Sequence, residues 1–250
     1  MGLVVNPFAG IGGAEALKGS DNAQERDQLL AEGVVRRVVS RLKTFFDGLE
    51  SCADVIEIHT WAGEMGAQYV PVQFSTQVVG ESPQPSCADD TVYAVKTICR
   101  SHIDLLVFVG GDGTARNVVD GCDELTPVLG LPSGVKMQSG CFAVTPTAAA
   151  EVVKSMISAD LVDLRLQEVR DLDEAAYRTG LVKSKFYGEL HVPELGQFVQ
   201  ATKVGGIEVE DLVLDEISAE VDERFDDDAL WLIGPGTTTR AFMEYKGLDN

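Results

Sequence analysis

The sequence predicts an α/β protein in which a largely parallel sheet is followed by a second, mostly β part. Three observations carry that expectation. Apolar runs of strand length alternate with amphipathic stretches at helical spacing through roughly the first half of the chain. Glycine or proline punctuates the ends of several of these runs. Beyond about residue 135 the pattern changes to period-two alternation broken by turn residues, the mark of antiparallel pairing.

The elements follow in order. "GLVVNP" (2–7) reads as the first strand and runs into the glycine-rich "FAGIGG" (8–13). A long helix is expected next, starting near Asn22 and Glu25 at capping-box spacing, with Leu30, Val34, Val38, Leu42 and Phe45 on one face. "DVIEIHT" (54–60), "FSTQVVG" (74–80), "DLLVFVG" (104–110) and "TPVLGLP" (126–132) are further strands. "ADDTVYAVKTICRSH" (88–102) places Val92, Val95 and Ile98 or Cys99 at helical spacing, and "VVGESPQPSCADD" (78–90) before and into it reads as a loose surface loop. A helix on "TAAAEVVKSMI" (147–157) then leads into the strand-rich segment 164–193, an acidic helix (209–223) and an apolar strand, "ALWLIG" (229–234). This divides the chain into an α/β domain (1–135), a mostly β domain with helices (136–228), and a closing strand and loop (229–250) that return to the first domain.

Composition limits what the protein can do. With 250 residues, 45% of them hydrophobic, the chain can bury a sizeable core. No apolar run reaches the roughly 18 residues of a membrane span, and the first residues lack a signal-peptide pattern, so a cytoplasmic protein is expected. A net charge of −20 argues against nucleic-acid and anionic-membrane partners, which need Lys and Arg to neutralise phosphate. A phosphate-bearing small ligand must instead be held locally, by metal, backbone N–H groups and a few cations. Cys52, Cys87, Cys99, Cys122 and Cys141 are odd in number and widely spaced, which reads as reduced, mostly buried thiols. His59, His102 and His191 are isolated, without the spacing of a metal site. Ser139 in "QSGC" lacks the frame of a hydrolase nucleophile, and "ERFDDDA" (223–229) reads as a solvated charge run.

The chemistry concentrates at "FVGGDGTARN" (108–117). In open α/β sheets, ligands sit beyond the carboxyl ends of strands, and this loop puts Asp112 at such an end, with a helix starting near Thr114. Gly110, Gly111 and Gly113 are expected to allow positive φ and close ligand approach, while the helix N-terminus offers N–H groups to phosphate.

"GGDGT" after a buried strand resembles the signature of the superfamily joining NAD kinases with diacylglycerol and sphingosine kinases. Together with "NPFAGIGG" (6–13), "LKGSD" (17–21), "GLPSGVKMQSGCFAVTP" (130–146), "VRDLDEAAYRTGLVKSKFYGELHVP" (169–193) and "WLIGPGTTTRAFME" (231–244), it resembles the ATP-NAD kinase family, in the family's order and over almost the whole chain. The resemblance implies a Rossmann-like first domain and a kinase that phosphorylates the 2′-hydroxyl of the adenosine ribose of NAD, with ATP as donor and Mg²⁺. It also implies a homo-oligomer.

The resemblance assigns one residue a role, and the chemistry of the other blocks supplies further candidates. Asp112 is the counterpart of the aspartate that activates the acceptor hydroxyl or organises metal and phosphates. Asn6, Gly10, Gly12 and Gly13 can cradle phosphates through the backbone, although they form no Walker A loop. Thr114, Arg116, Ser133, Gly134 and Lys136 are nucleotide-binding candidates, with Arg116 and Lys136 as the cations. Gly234, Gly236, Thr237 and Thr238, in "GPGTTTR", form a further phosphate or ribose loop. No metal ligand set can be assigned. Two departures stand out: Asn117 occupies the place where relatives commonly carry an aspartate, and relatives usually continue past "EYKGLDN", so a shortened C-terminus is expected. A kinase of another alcohol, lipid or small metabolite, and a non-catalytic nucleotide-binding relative are the alternatives.

Overall fold

The computed structural model describes residues 1–10, 37–133, 137–158, 162–172, 184–195, 199, 214, 218, 221 and 230–248. The chain divides into two compact units, Met1–Thr202 and Lys203–Asn250.

The first unit is built on a five-stranded parallel sheet of β1 (Gly2–Val5), β2 (Glu57–Trp61), β3 (Ser75–Gly80), β4 (Leu106–Gly110) and β5 (Val128–Pro132), in the order β3-β2-β1-β4-β5. Every residue of β1, β4 and β5 is buried, as expected for parallel strands with both faces covered. Helices α1 (Arg37–Leu49), α2 (Ala88–Cys99), α3 (Asp112–Gly121) and α4 (Pro146–Ile157) flank the sheet. Because β1 to β2 moves one way across the sheet and β3 to β4 the other, right-handed crossovers put α1 and α2 on opposite faces. Packing agrees. A Cβ on Gly48 of α1 would meet Ala150 of α4, and one on Gly121 of α3 would meet Val92 and Val95 of α2.

The sequence-expected face of α1 is buried through Val38, Leu42 and Phe45; Asn22, Glu25, Leu30 and Val34 lie outside the described residues. At the sheet's centre, Phe108 of β4 and Phe142 pack edge to face with ring centroids 5.3 Å apart, both fully buried. Gly130 of β5 makes room for them, since a Cβ there would strike both rings. Residues 141–143 run alongside β5, where Cys141 O accepts from Gly130 N–H and Ala143 N–H donates to Gly130 O.

A β-hairpin of β6 (Asp163–Leu172) and β7 (Ser184–Glu194) follows, antiparallel as expected. Val169 pairs with Gly188 and Arg170 with Phe186, so Tyr187 is an extra residue on β7, a bulge. The bulge aims Tyr187 at α3: its hydroxyl donates to the Asp120 carboxylate at 2.9 Å, and the Arg116 guanidinium lies 5.0 Å above its ring. The buried Val169, Leu190 and Val192 side chains join the hairpin to the core, and a Cβ on Gly188 would meet Val119 of α3.

Three sequence expectations need correction. Leu230–Gly234 form no strand; Leu230 and Leu232 are almost fully exposed, and no neighbouring strand among the described residues supplies a ladder. The loose loop shrinks to 81–87, because β3 continues to Gly80 and α2 starts at Ala88, where Asp90 accepts from the Cys87 N–H and closes a capping box. The five thiols are free, but only Cys99 and Cys141 are buried, and Cys87 is exposed at the helix start. Of the acidic helix expected over 209–223, Leu214, Ser218 and Val221 are helical and the rest lies outside the described residues, as does the charge run at 223–229. The second unit also contains α5 (Thr237–Lys246), closed by Gly247 in the left-handed region at φ +67°.

Candidate functional site

The sheet order reverses direction between β1 and β4, and the loops leaving their carboxyl ends lie together at the place where open α/β sheets bind ligands. Asn6 follows β1 and is pinned three ways. Its N–H donates to Val109 O (3.0 Å), its Oδ1 accepts from Phe8 N–H (3.0 Å), and its Nδ2 donates to Thr114 Oγ1 (3.0 Å). This last bond joins the β1 loop to the first turn of α3. Gly10, four residues on, has φ +75°, and a Cβ there would fall on the carbonyl oxygen of Ser133. Ser133 N–H in turn donates to Gly110 O (3.0 Å). Asn6, Gly10, Gly110, Thr114 and Ser133 are therefore neighbours along one edge of the sheet.

The positive φ expected of the glycines of "GGDGT" does not occur. None of Gly110, Gly111 and Gly113 has positive φ among the described backbone. Gly110 lacks a Cβ because Thr114 occupies that space, and Gly111 caps α3 in extended conformation. Gly113 is exposed, with nothing within 4 Å of a Cβ position. The helix starts at Asp112, so the carboxylate stands in its first turn, where the dipole favours negative charge.

Asp112 is half-buried and firmly held. Ser139 donates twice to Oδ1, from Oγ at 2.6 Å and from its N–H at 3.1 Å, and the Gln138 N–H donates to Oδ2 at 2.8 Å. Charge-assisted bonds of this number fix the carboxylate's orientation and suit its ionised form. Ser139 is itself fully buried, and its Oγ accepts from the Arg170 N–H of β6 at 3.0 Å. The Asp112 charge also helps burial push the Cys141 thiol far up. Gln138 and Ser139 escaped the sequence reading, which considered Ser139 only as a nucleophile. Their place in the "VKMQSG" block was visible; their contact with a residue 26 or 27 positions earlier was not.

Ser133 Oγ is buried and has no hydrogen-bond partner among the described residues, a cost that a ligand oxygen here would remove. Arg116 stacks on Tyr187. Gly12, Gly13, Gly134 and Lys136 lie outside the described residues. Gly234, Gly236, Thr237 and Thr238 belong to the second unit. There Gly236 caps α5, and the loop is closed by Thr239, whose Oγ1 lies 2.8 Å from Gly234 O and 3.1 Å from Gly236 O.

A family model for the ATP-NAD kinase N-terminal domain matches residues 1–161. The chain belongs to the ATP-NAD kinase family. Asn6, Asp112, Ser133 and Ser139 all lie inside the matched segment. As a member of the ATP-NAD kinase family, the protein is a kinase of NAD-kinase type, a phosphotransferase acting on an alcohol group. No curated protein and no solved structure matches the chain. No helix among the described residues is long and apolar enough to cross a membrane.

Proposed function

We propose that this protein transfers the γ-phosphoryl group of ATP to the 2′-hydroxyl of the adenosine ribose of NAD, giving NADP. The observation that supports it most is Asp112, oriented by Gln138 and Ser139 at the switch point of the sheet of an ATP-NAD kinase family member. In this reading Asp112 accepts the proton of the attacking hydroxyl as its oxygen bonds to the γ-phosphorus and the bond to the ADP oxygen breaks. N–H groups in the first turn of α3, which a helix leaves without intrahelical acceptors, face the phosphates. Asn6 and Thr114 hold the two loops in register, and Ser133 Oγ offers a hydroxyl to a phosphate or ribose oxygen.

The family's divalent metal fits a sparse donor set. Among the described residues no group of three His, Cys, Asp or Glu could hold an ion, but Mg²⁺ in nucleotide enzymes commonly takes one or two carboxylates and completes its shell with phosphates and water. Asp112 would be the carboxylate that holds it in the alternative role, in which it organises metal and phosphates and does not take the proton. When bound with ATP, the ion supplies neutralisation of phosphate charge.

The test is purified protein with Mg²⁺-ATP and NAD, read by an NADP-specific dehydrogenase. NADP formation that requires ATP is expected; phosphorylation of another alcohol only, or nucleotide binding without turnover, would overturn the reading. The charge of −20 adds a prediction. Because the overall field repels an anion, nucleotide affinity at fixed Mg²⁺ should hold or improve as salt rises from about 20 to about 150 mM, where screening reaches roughly 8 Å. A steady loss over that range would mean that local cations dominate.

A further inference from the structure

The pair of thiols at the C-terminal ends of α2 and α3 lies at the end of α3 opposite Asp112 and plays no part in the proposed phosphoryl transfer. Cys99 is the last residue of α2, and Cys122 immediately follows α3. Their sulfurs are 3.5 Å apart, close enough for one thiol to hydrogen-bond the other. The surroundings hold both in place. Gly121 lets α3 press against Val92 and Val95 of α2, and Asp123 fixes the turn after Cys122 by accepting from the Leu125 and Thr126 N–H groups and the Thr126 hydroxyl. Cys99 is buried while Cys122 keeps part of its surface in solvent, so the pair is packed yet reachable.

We propose that Cys99 and Cys122 form a reversible oxidation site, closing to a disulfide when the protein meets a small-molecule disulfide such as oxidised glutathione. The geometry requires the sulfurs to approach from 3.5 Å to about 2.0 Å, while the helices that carry them are already in contact. The chemistry balances. One protein thiolate attacks the glutathione disulfide, forming a mixed disulfide and releasing one glutathione thiolate. The second protein thiolate then attacks the protein sulfur of that bond and releases the other. Two thiols lose two protons and two electrons, and one glutathione disulfide becomes two glutathiones. The hydrogen bond across the pair eases the first deprotonation: it pulls the Cys99 thiol below its usual range and, with burial, pushes the Cys122 thiol up. The other cysteines have no second thiol beside them among the described residues; Cys141 is enclosed, Cys52 lies 3.7 Å from a serine hydroxyl, and Cys87 is engaged with Asp90 in the capping box of α2.

The experiment incubates the full chain with oxidised glutathione, blocks remaining thiols with iodoacetamide, and maps peptides by mass. A peptide pair joined through Cys99 and Cys122, two hydrogens lighter than the free thiols, is expected, and dithiothreitol should abolish it. Oxidation should also raise Tm by roughly 5 °C, since the closed loop restricts the unfolded chain. In Cys99→Ser, Cys122 should instead carry glutathione, and the Tm rise should vanish. Recovery of both cysteines as iodoacetamide adducts, a stable glutathione adduct on Cys122 in the unsubstituted protein, or a fall in Tm on bridging would each overturn the proposal.

Discussion

Asp112→Asn should lower turnover by at least about 10²-fold while leaving the protein folded. The substitution is nearly isosteric, and most of the site can adapt to it. An asparagine oxygen can still accept from the Gln138 N–H, and the Ser139 hydroxyl can turn to accept from the new amide. Only the Ser139 N–H is left facing a donor, at a cost of about 1–3 kcal/mol for an unsatisfied group. Lost activity with a folded protein would thus report the missing charge and base. Ser139→Ala is the graded companion: it keeps both backbone donors to Asp112 and removes the shortest bond, so a fall of about 10-fold in kcat is expected. Circular dichroism and thermal melting, alongside kcat from the NADP-coupled assay, make the check. Turnover of Asp112→Asn near that of the unsubstituted protein would remove Asp112 from the mechanism.

Phe108→Ala should destabilise the first unit by about 3–5 kcal/mol, a large share of a typical domain's stability. Phe108 is fully buried in the central part of the sheet and packs against Phe142 in a geometry worth more than the area it removes from water. Gly130 leaves no side chain that could swing into the void. The unit's melting temperature should fall on the order of 10 °C. Leu125→Ala, at a residue 86% exposed, should move it little. A melt of Phe108→Ala within about 2 °C of the unsubstituted protein would show that the core relaxes to fill the space.

The sheet was legible because its strands are short runs rich in apolar residues, four of the five ended by glycine or proline, and these five runs became the five strands with shifts of only a few residues at their ends. "ALWLIG" has the same composition and forms no strand, since a strand exists only where a neighbour presents a ladder, and composition carries no information about neighbours. At the site, Asp112 announced itself through the glycines around it. The positive φ expected of them is absent: Gly110 gives Thr114 its space and Gly111 caps α3, while the positive φ nearby belongs to Gly10. Ser139 and Tyr187 were hidden for a different reason. Each acts through a partner distant in sequence, Asp112 for the first and Asp120 with Arg116 for the second, and the bulge that turns Tyr187 toward α3 leaves no mark in the period of the strand.

The hydrogen atom that Gly110 carries in place of a methyl group sets the tolerance of the whole loop to change. Thr114 fits against that hydrogen, and through Thr114 the side chain of Asn6 is bolted across from β1. Any larger residue at 110 evicts the threonine and unfastens the asparagine, so two loops lose their common alignment at once. A mutational survey would therefore score Gly110 as indispensable even though no substrate atom need ever approach it. At this position intolerance measures carpentry, and participation in the chemistry has to be sought one residue pair further along, at Asp112.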